Sequence, residues 1–208
     1  MNNEQRRRLE DLIARLETLN RRSRARFIAV LLELEEAKDD ARGSVLDRLE
    51  AVVRQGYRDS FLEGARAQAA IGGGIISAAL FRAGRILSTK LSNQVRDRAA
   101  NVLRSFRESE TKRGRLYART YSAVLANETT YRGARRGMEG QARGEGKREK
   151  MFVRLAPVKE PREHSKLEGS IIGIDELWDI GGVEVSEPGH EDLPPGERIN
   201  CQHGVVYL

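Results

Sequence analysis

The chain has 208 residues, of which one third are charged, with a formal net charge of +6 and a mean hydropathy of −0.57. Its single cysteine excludes an intrachain disulfide, and its longest weakly polar run, residues 67–81, is too short and too rich in glycine to span a bilayer. The composition predicts a protein folded in a cytoplasm, of one large or two small domains, without a stable membrane anchor.

The N-terminal third predicts a helical hairpin. Apolar residues recur at three- and four-residue spacing from Leu9 to Leu34, and a second set runs from Val45 to Phe61. Two amphipathic helices joined by a short polar segment predict an antiparallel pair over residues 4–67.

Three consecutive glycines, Gly72 to Gly74, interrupt this pattern within the stretch IGGGII at residues 71–76. A glycine in a helix interior costs about 1 kcal/mol relative to alanine, so we expect a hinge or a loop there. The apolar residues around the break leave two interpretations open. One is a close helix-packing site, and the other is a segment at about 67–87 that acts on membranes or docks onto a partner.

A long basic helix is predicted from about residue 91 to residue 137. Residues 96–154 hold 16 basic against 7 acidic side chains, which indicates either a contact with a polyanion or a well-solvated helix face. Contacts with double-stranded DNA would be made to phosphates and would be non-specific. The candidate contact residues, for DNA or for a partner protein, are Arg96, Arg98, Arg104, Arg107, Lys112, Arg113, Arg115 and Arg119.

The composition changes after this helix. Residues 138–150 are rich in glycine and charge, which is typical of a linker. Residues 155–208 hold all five prolines and 4 basic against 11 acidic side chains, and short β-rich runs such as GVVYL are separated by turn signals. The predicted fold class is therefore α+β, with a helical region at 1–137 followed by a small β-containing module at 151–208.

Every histidine and the only cysteine lie in the last 45 residues: His164, His190, Cys201 and His203. Imidazole and thiolate are zinc ligands, and in an extended strand Cys201 and His203 point to the same face. The spacing matches no specific zinc pattern, so one structural zinc and a hydrogen-bonded polar cluster both remain open. No phosphate-binding loop, nucleophile elbow or recognisable carboxylate pair is present, so we expect no enzyme.

Three ordered stretches of the C-terminal half resemble the phage head morphogenesis family, the minor head proteins of the Mu F type. The first is RLYARTYSAVLANETTYRGARR at residues 115–136, which resembles that family's A-x-x-I-A-R-T-E-x-x-x-A-x-N helix. The second is VRLAPVKEPREHSKLEGSIIGIDE, and the third is PGHEDLPPGERINCQHGVV. The matching positions are Ala118, Arg119, Thr120, Ala126, Asn127, His164, Leu167, Gly169, Asp175, Glu176, Pro188, Gly189, Glu197, Ile199, Asn200 and Cys201.

The resemblance implies a structural component of the head of a tailed phage, a prophage or a gene-transfer particle. Such a protein associates with portal and capsid proteins in the virion, is present in the host cytoplasm during assembly, and acts in head assembly, DNA packaging or DNA delivery. Self-association is a further expectation. The alternative is a cytoplasmic nucleic-acid-binding protein with a zinc-stabilised C-terminal module.

The sequence departs from the family at several positions. Tyr121 replaces a usual glutamate and Glu168 replaces an aspartate. Some relatives carry further metal-ligand-type residues, and here Pro161 and Arg198 stand at two of those positions. The resemblance therefore implies an incomplete metal site at His164, Cys201 and His203, which is complete only if His190 contributes, so that metal binding is optional.

Overall fold

The computed structural model describes residues 3–38, 40–106, 113–154, 163–190, 192–198, 201 and 203–208. The helices are α1 (Asn3–Glu36), α2 (Arg42–Gly72), α3 (Ala78–Phe106), α4 (Arg113–Asn127), α5 (Gly133–Gly144) and α6 (Pro195–Arg198). A π-helical turn (Glu128–Arg132) joins α4 to α5, and a 3-10 turn covers Glu163–Leu167. The strands are β1 (Glu149–Arg154), β2 (Ile171–Gly173), β3 (Trp178–Ile180), β4 (Val183–Val185) and β5 (His203–Tyr207). The α+β fold class is confirmed.

Helices α1 and α2 lie antiparallel. Arg15 Nη1 lies 3.3 Å from Glu63 Oε2 near one end of the pair, and Arg48 pairs with Glu33 near the other. Their apolar faces meet α3 and α4 in a core of fully buried side chains that includes Phe27. Helix α2 ends at the glycines, where Gly73 adopts a left-handed φ of 76° and donates its N–H to the carbonyl of Ala69.

The predicted helix at 91–137 has different bounds in the structure. Helix α3 already begins at Ala78, because the interruption after α2 covers only residues 73–77. Helix α3 is described as far as Phe106. A helical path resumes at Arg113 and continues through the π-helical turn and α5 to Gly144. The residues between them, 107–112, lie outside the described part of the chain.

The predicted linker at 138–150 is wrong, because residues 138–144 belong to α5 and β1 begins at residue 149. Glycines of α5 and α2 allow these two helices to pack closely. A Cβ atom on Gly137 would lie 1.9 Å from the carbonyl oxygen of Phe61, and one on Gly64 would lie 2.0 Å from that of Ala134. Only glycine lets the backbones of α2 and α5 approach this closely.

The C-terminal sheet shares its core with the helices. Its strand order is β2-β1-β5, all antiparallel, with Phe152 opposite Val205. Side chains of β1 alternate between two faces: Met151 packs in a cluster with residues of α1, α2 and α5, whereas Phe152 packs with Trp178 of the β3–β4 hairpin. Residues 151–208 are therefore joined to the helical region through a common core.

The outer edge of β5 is covered by helix side chains. Gln68 Nε2 donates to the carbonyl oxygen of Tyr207 at 2.9 Å, and the Tyr207 N–H donates back to Gln68 Oε1 at 3.2 Å. Arg135 Nη1 donates to the carbonyl oxygen of His203 at 3.0 Å. Side chains of α2 and α5 thus satisfy backbone groups that a free edge strand would leave open.

Candidate metal centre

Three of the four predicted ligand side chains meet at one end of the sheet. His164 comes from the 3-10 turn, His203 is the first residue of β5, and Cys201 lies two residues before it. The pairing of β5 with β1 places His203 opposite Arg154. All three side chains are buried, with exposed fractions of 1% for His164, 6% for Cys201 and 1% for His203.

The three donor atoms have the spacing of one face of a tetrahedron. His164 Nε2 lies 3.0 Å from His203 Nδ1, and Cys201 Sγ lies 3.5 Å from His164 Nε2 and 3.9 Å from His203 Nδ1. With usual zinc bond lengths, tetrahedral ligands are separated by about 3.3 Å between nitrogens and about 3.6 Å between nitrogen and sulfur. The cluster His164, Cys201 and His203 can therefore hold a metal ion.

Each histidine is oriented by a carboxylate on its other ring nitrogen. His164 Nδ1 contacts Glu197 Oε2, and His203 Nε2 lies 2.9 Å from Glu168 Oε1. Arg154 holds Glu168 through two bonds of 2.9 Å each. Burial opposes ionisation of Glu168, but Arg154 and His203 outweigh it and lower its pKa. Carboxylates that accept the second N–H of a histidine are the usual outer partners of histidine metal ligands.

The electrostatics of the cluster favour a thiolate. Burial alone would raise the pKa of Cys201, but hydrogen bonds with His164 and His203, aided by the charge of Arg135, lower it to about 6. Burial likewise opposes protonation of His164, yet Cys201 and Glu197 raise its pKa. The deprotonated thiol is the form that binds metal ions.

His190 does not belong to this cluster. The group of side chains close enough to share an ion consists of His164, Cys201 and His203 among the described residues. His190 follows the turn at Gly189 instead, where its Nδ1 lies 3.5 Å from Asp192 Oδ2. The structure therefore corrects the prediction of His190 as a fourth ligand, and three candidate ligands remain.

One of the predicted contact residues is engaged within the chain. Arg96 pairs with both Asp47 and Glu50 of α2, its Nη1 lying 3.0 Å from Glu50 Oε2. It therefore ties α3 to α2. The structure describes only the backbone of Arg98, Arg104, Arg113, Arg115 and Arg119. Arg107 and Lys112 lie outside the described residues.

The sequence predicts no role for Glu168 and Glu197, the two carboxylates that orient the histidines. The signal was present, since both are at positions of the stretches that resemble the minor head family. Lys150 was also missed: it is 2% exposed and donates to the carbonyl oxygen of Ser186 at 3.1 Å and to that of Glu176. Nothing in its sequence neighbourhood separates it from the exposed basic residues around it.

Comparison of the chain with models of known protein families, with curated proteins and with solved structures finds no match. Among the described residues, no helix combines the length and the apolar character needed to cross a membrane.

Proposed function

We propose that the chain is a non-catalytic minor head protein of a tailed-phage, prophage or gene-transfer particle. It would associate with portal and capsid proteins and act in head assembly, DNA packaging or DNA delivery. The observation that carries the proposal is the convergence of the family-like stretches. His164 and Glu168 of one stretch contact Glu197, Cys201 or His203 of the next.

Further family-like positions lie at turns and at contacts between secondary-structure elements, which supports the same proposal. Gly169 and Gly189 adopt left-handed φ values of 84° and 73°, a conformation that favours glycine. Asn127 accepts a hydrogen bond of 2.5 Å from Asn20 of α1. Asp175 Oδ1 accepts one of 3.1 Å from Arg143 of α5. The family-like positions thus include two turn glycines, a contact between α1 and α4, and a contact between α5 and the segment after β2.

A structural zinc ion is the second part of the proposal. His164, Cys201 and His203 would supply two nitrogens and one thiolate, and the zinc would crosslink the 3-10 turn to the start of β5. Because these ligands come from two separate segments, metal binding would contribute directly to folding, and the outer carboxylates would orient the histidines. The fourth tetrahedral position would be taken by a ligand from outside this cluster.

The alternative of a nucleic-acid-binding protein shares this zinc site but depends on the basic helix. Arg96 is held by Asp47 and Glu50, which weakens it as a phosphate contact. DNA contact by Arg98, Arg104 and the other predicted residues stays a prediction.

Mass spectrometry of nuclease-treated particles from an induced culture of the source tests the proposed function. We expect the chain in particle fractions, at low stoichiometry relative to the major capsid protein, and in complexes captured with tagged portal protein. A chain produced in the induced cells but absent from both particles and portal complexes would contradict the proposal.

A further inference from the structure

The connection between α2 and α3 carries apolar and basic side chains on its surface without acidic ones. No aspartate or glutamate occurs between Glu63 and Asp97, and residues 67–81 are entirely uncharged. The chain as a whole has 31 acidic residues in 208, so a stretch of this length without one is unusual. Within this stretch of the sequence the charged side chains are therefore all basic.

Large apolar side chains of this connection face solvent. Ile75 is 91% exposed, Ile86 is 69% exposed and Phe81 is 44% exposed. Among the described residues only Ile171 and Leu177, both in the C-terminal part, are other large hydrophobic side chains of comparable exposure. Ile75 of the connection and Phe81 and Ile86 of α3 fall within twelve residues of the sequence and together mark a candidate contact surface.

Basic side chains accompany them on α3. Arg82, Ile86 and Lys90 follow one another at four-residue spacing and so lie on the same side of the helix, with Arg85 beside them. Arg82, Arg85 and Lys90 are exposed, and none forms an ion pair with another described residue. We call Ile75, Phe81, Arg82, Arg85, Ile86 and Lys90 the α2–α3 tip.

The inner side of the connection is fixed to α5. Gln141 Nε2 donates to the carbonyl oxygen of Ile75 at 3.2 Å and to Glu145 Oε1 at 2.7 Å. Glu145 faces the connection, and its carboxylate lies against Gly72 and Gly74. Glu139 lines the same pocket as Lys90. This anchoring presents Ile75 outward.

We propose that the α2–α3 tip docks onto an anionic lipid bilayer surface. Protruding isoleucine and phenylalanine side chains can enter the boundary between headgroups and acyl chains, while unpaired arginine and lysine side chains attract anionic headgroups. The phosphates of a nucleic acid would contact the basic side chains but leave Ile75 and Ile86 exposed to water. Docking at the surface needs no membrane-spanning helix, and the inference is independent of the proposed head function.

Cosedimentation of the full chain with vesicles tests this inference. We expect binding to vesicles of phosphatidylcholine with phosphatidylglycerol, and about tenfold or more weaker binding to phosphatidylcholine alone. The variant Ile75→Ser/Ile86→Ser should lose about tenfold or more of the affinity for anionic vesicles. The variant Arg82→Gln/Arg85→Gln should lose about fivefold for each charge removed and respond less steeply to added salt, with Lys90 as the remaining cation of the tip.

Matched controls come from other exposed positions. Ile171→Ser/Leu177→Ser removes two apolar side chains of 49% exposure each, and Arg7→Gln/Arg24→Gln removes two exposed cations. Both controls should bind anionic vesicles as the unaltered chain does, and circular dichroism should show every variant folded. No binding to anionic vesicles, equal binding to neutral ones, or equal losses in the controls would overturn the inference. So would a concentration-dependent dimer without lipid that disappears in Ile75→Ser/Ile86→Ser, because the occupant of the tip would then be a second copy of the chain.

Discussion

Because α5 packs closely on α2, we expect Gly137→Ala to destabilise this protein, although replacing glycine by alanine normally stabilises a helix. In a helix interior, replacing glycine by alanine gains about 1 kcal/mol. At Gly137 the added Cβ would lie 1.9 Å from the carbonyl oxygen of Phe61, 2.8 Å from its carbonyl carbon and 2.9 Å from the nitrogen of Ala65. All three atoms belong to the backbone, so the helices must move apart.

Overpacking of this kind costs about 1–3 kcal/mol, and the close contacts at Gly137 place it at the upper end of that range. The helix propensity offsets part of the cost, so Gly137→Ala should lower the free energy of unfolding by about 1–2 kcal/mol. For a chain of this length each kcal/mol lowers the melting temperature by about 2–4 °C.

Gly43→Ala is the matched control, because a Cβ on Gly43 in the first turn of α2 meets no atom within 4 Å. It should leave stability unchanged or raise it by up to about 1 kcal/mol. Urea unfolding followed by circular dichroism measures both variants. If Gly137→Ala stabilises the protein as much as Gly43→Ala does, α5 does not pack on α2 and the close helix contact is refuted.

Three further outcomes follow from the contacts of the sheet and the metal cluster. Gln68→Ala should destabilise the chain by about 1–3 kcal/mol, because it leaves the N–H and carbonyl of Tyr207 unpaired. Hydrogen exchange should then become faster at β5, and unchanged exchange there would contradict the edge contact. Burial lowers the pKa of Lys150, so the unfolded chain holds this proton more tightly and the free energy of unfolding should rise as pH increases toward 10.5. Lys150→Met should remove that rise in urea unfolding at several pH values, and an identical pH slope in the variant would be the contrary result. His190→Ala should retain bound metal whereas His203→Ala should lose it in elemental analysis, and equal metal content in the two variants would exclude His203 as a ligand.

The helices could be predicted from the sequence because their apolar spacing is local information. The close contact of α2 with α5 could not, because a run of glycines and charges has the same composition in a linker and in a helix that packs on another backbone. Only the partner surface, at Phe61 and Ala65, distinguishes the two cases.

The residue types of the candidate site could be predicted from the sequence, but which of the four residues come together could be predicted only in part. Cys201 and His203 are near neighbours in the sequence, and His164 is predicted as a candidate ligand both from its residue type and from its position in a family-like stretch. His190 was included because it is the remaining histidine, but the turn at Gly189 brings it to Asp192 instead. The role of Glu168 depends on β1 and β5 lying side by side, which residue spacing alone does not reveal.

Titration of the purified, metal-free chain with cobalt(II) tests the metal centre most directly. We expect one tetrahedral cobalt per chain with a thiolate charge-transfer band, displaced by one equivalent of zinc, and a higher melting temperature for the loaded protein. Cys201→Ser should abolish the charge-transfer band. A chain that binds no cobalt at equimolar concentration, or whose spectrum is unchanged by Cys201→Ser, would contradict the assignment of His164, Cys201 and His203 as a metal site.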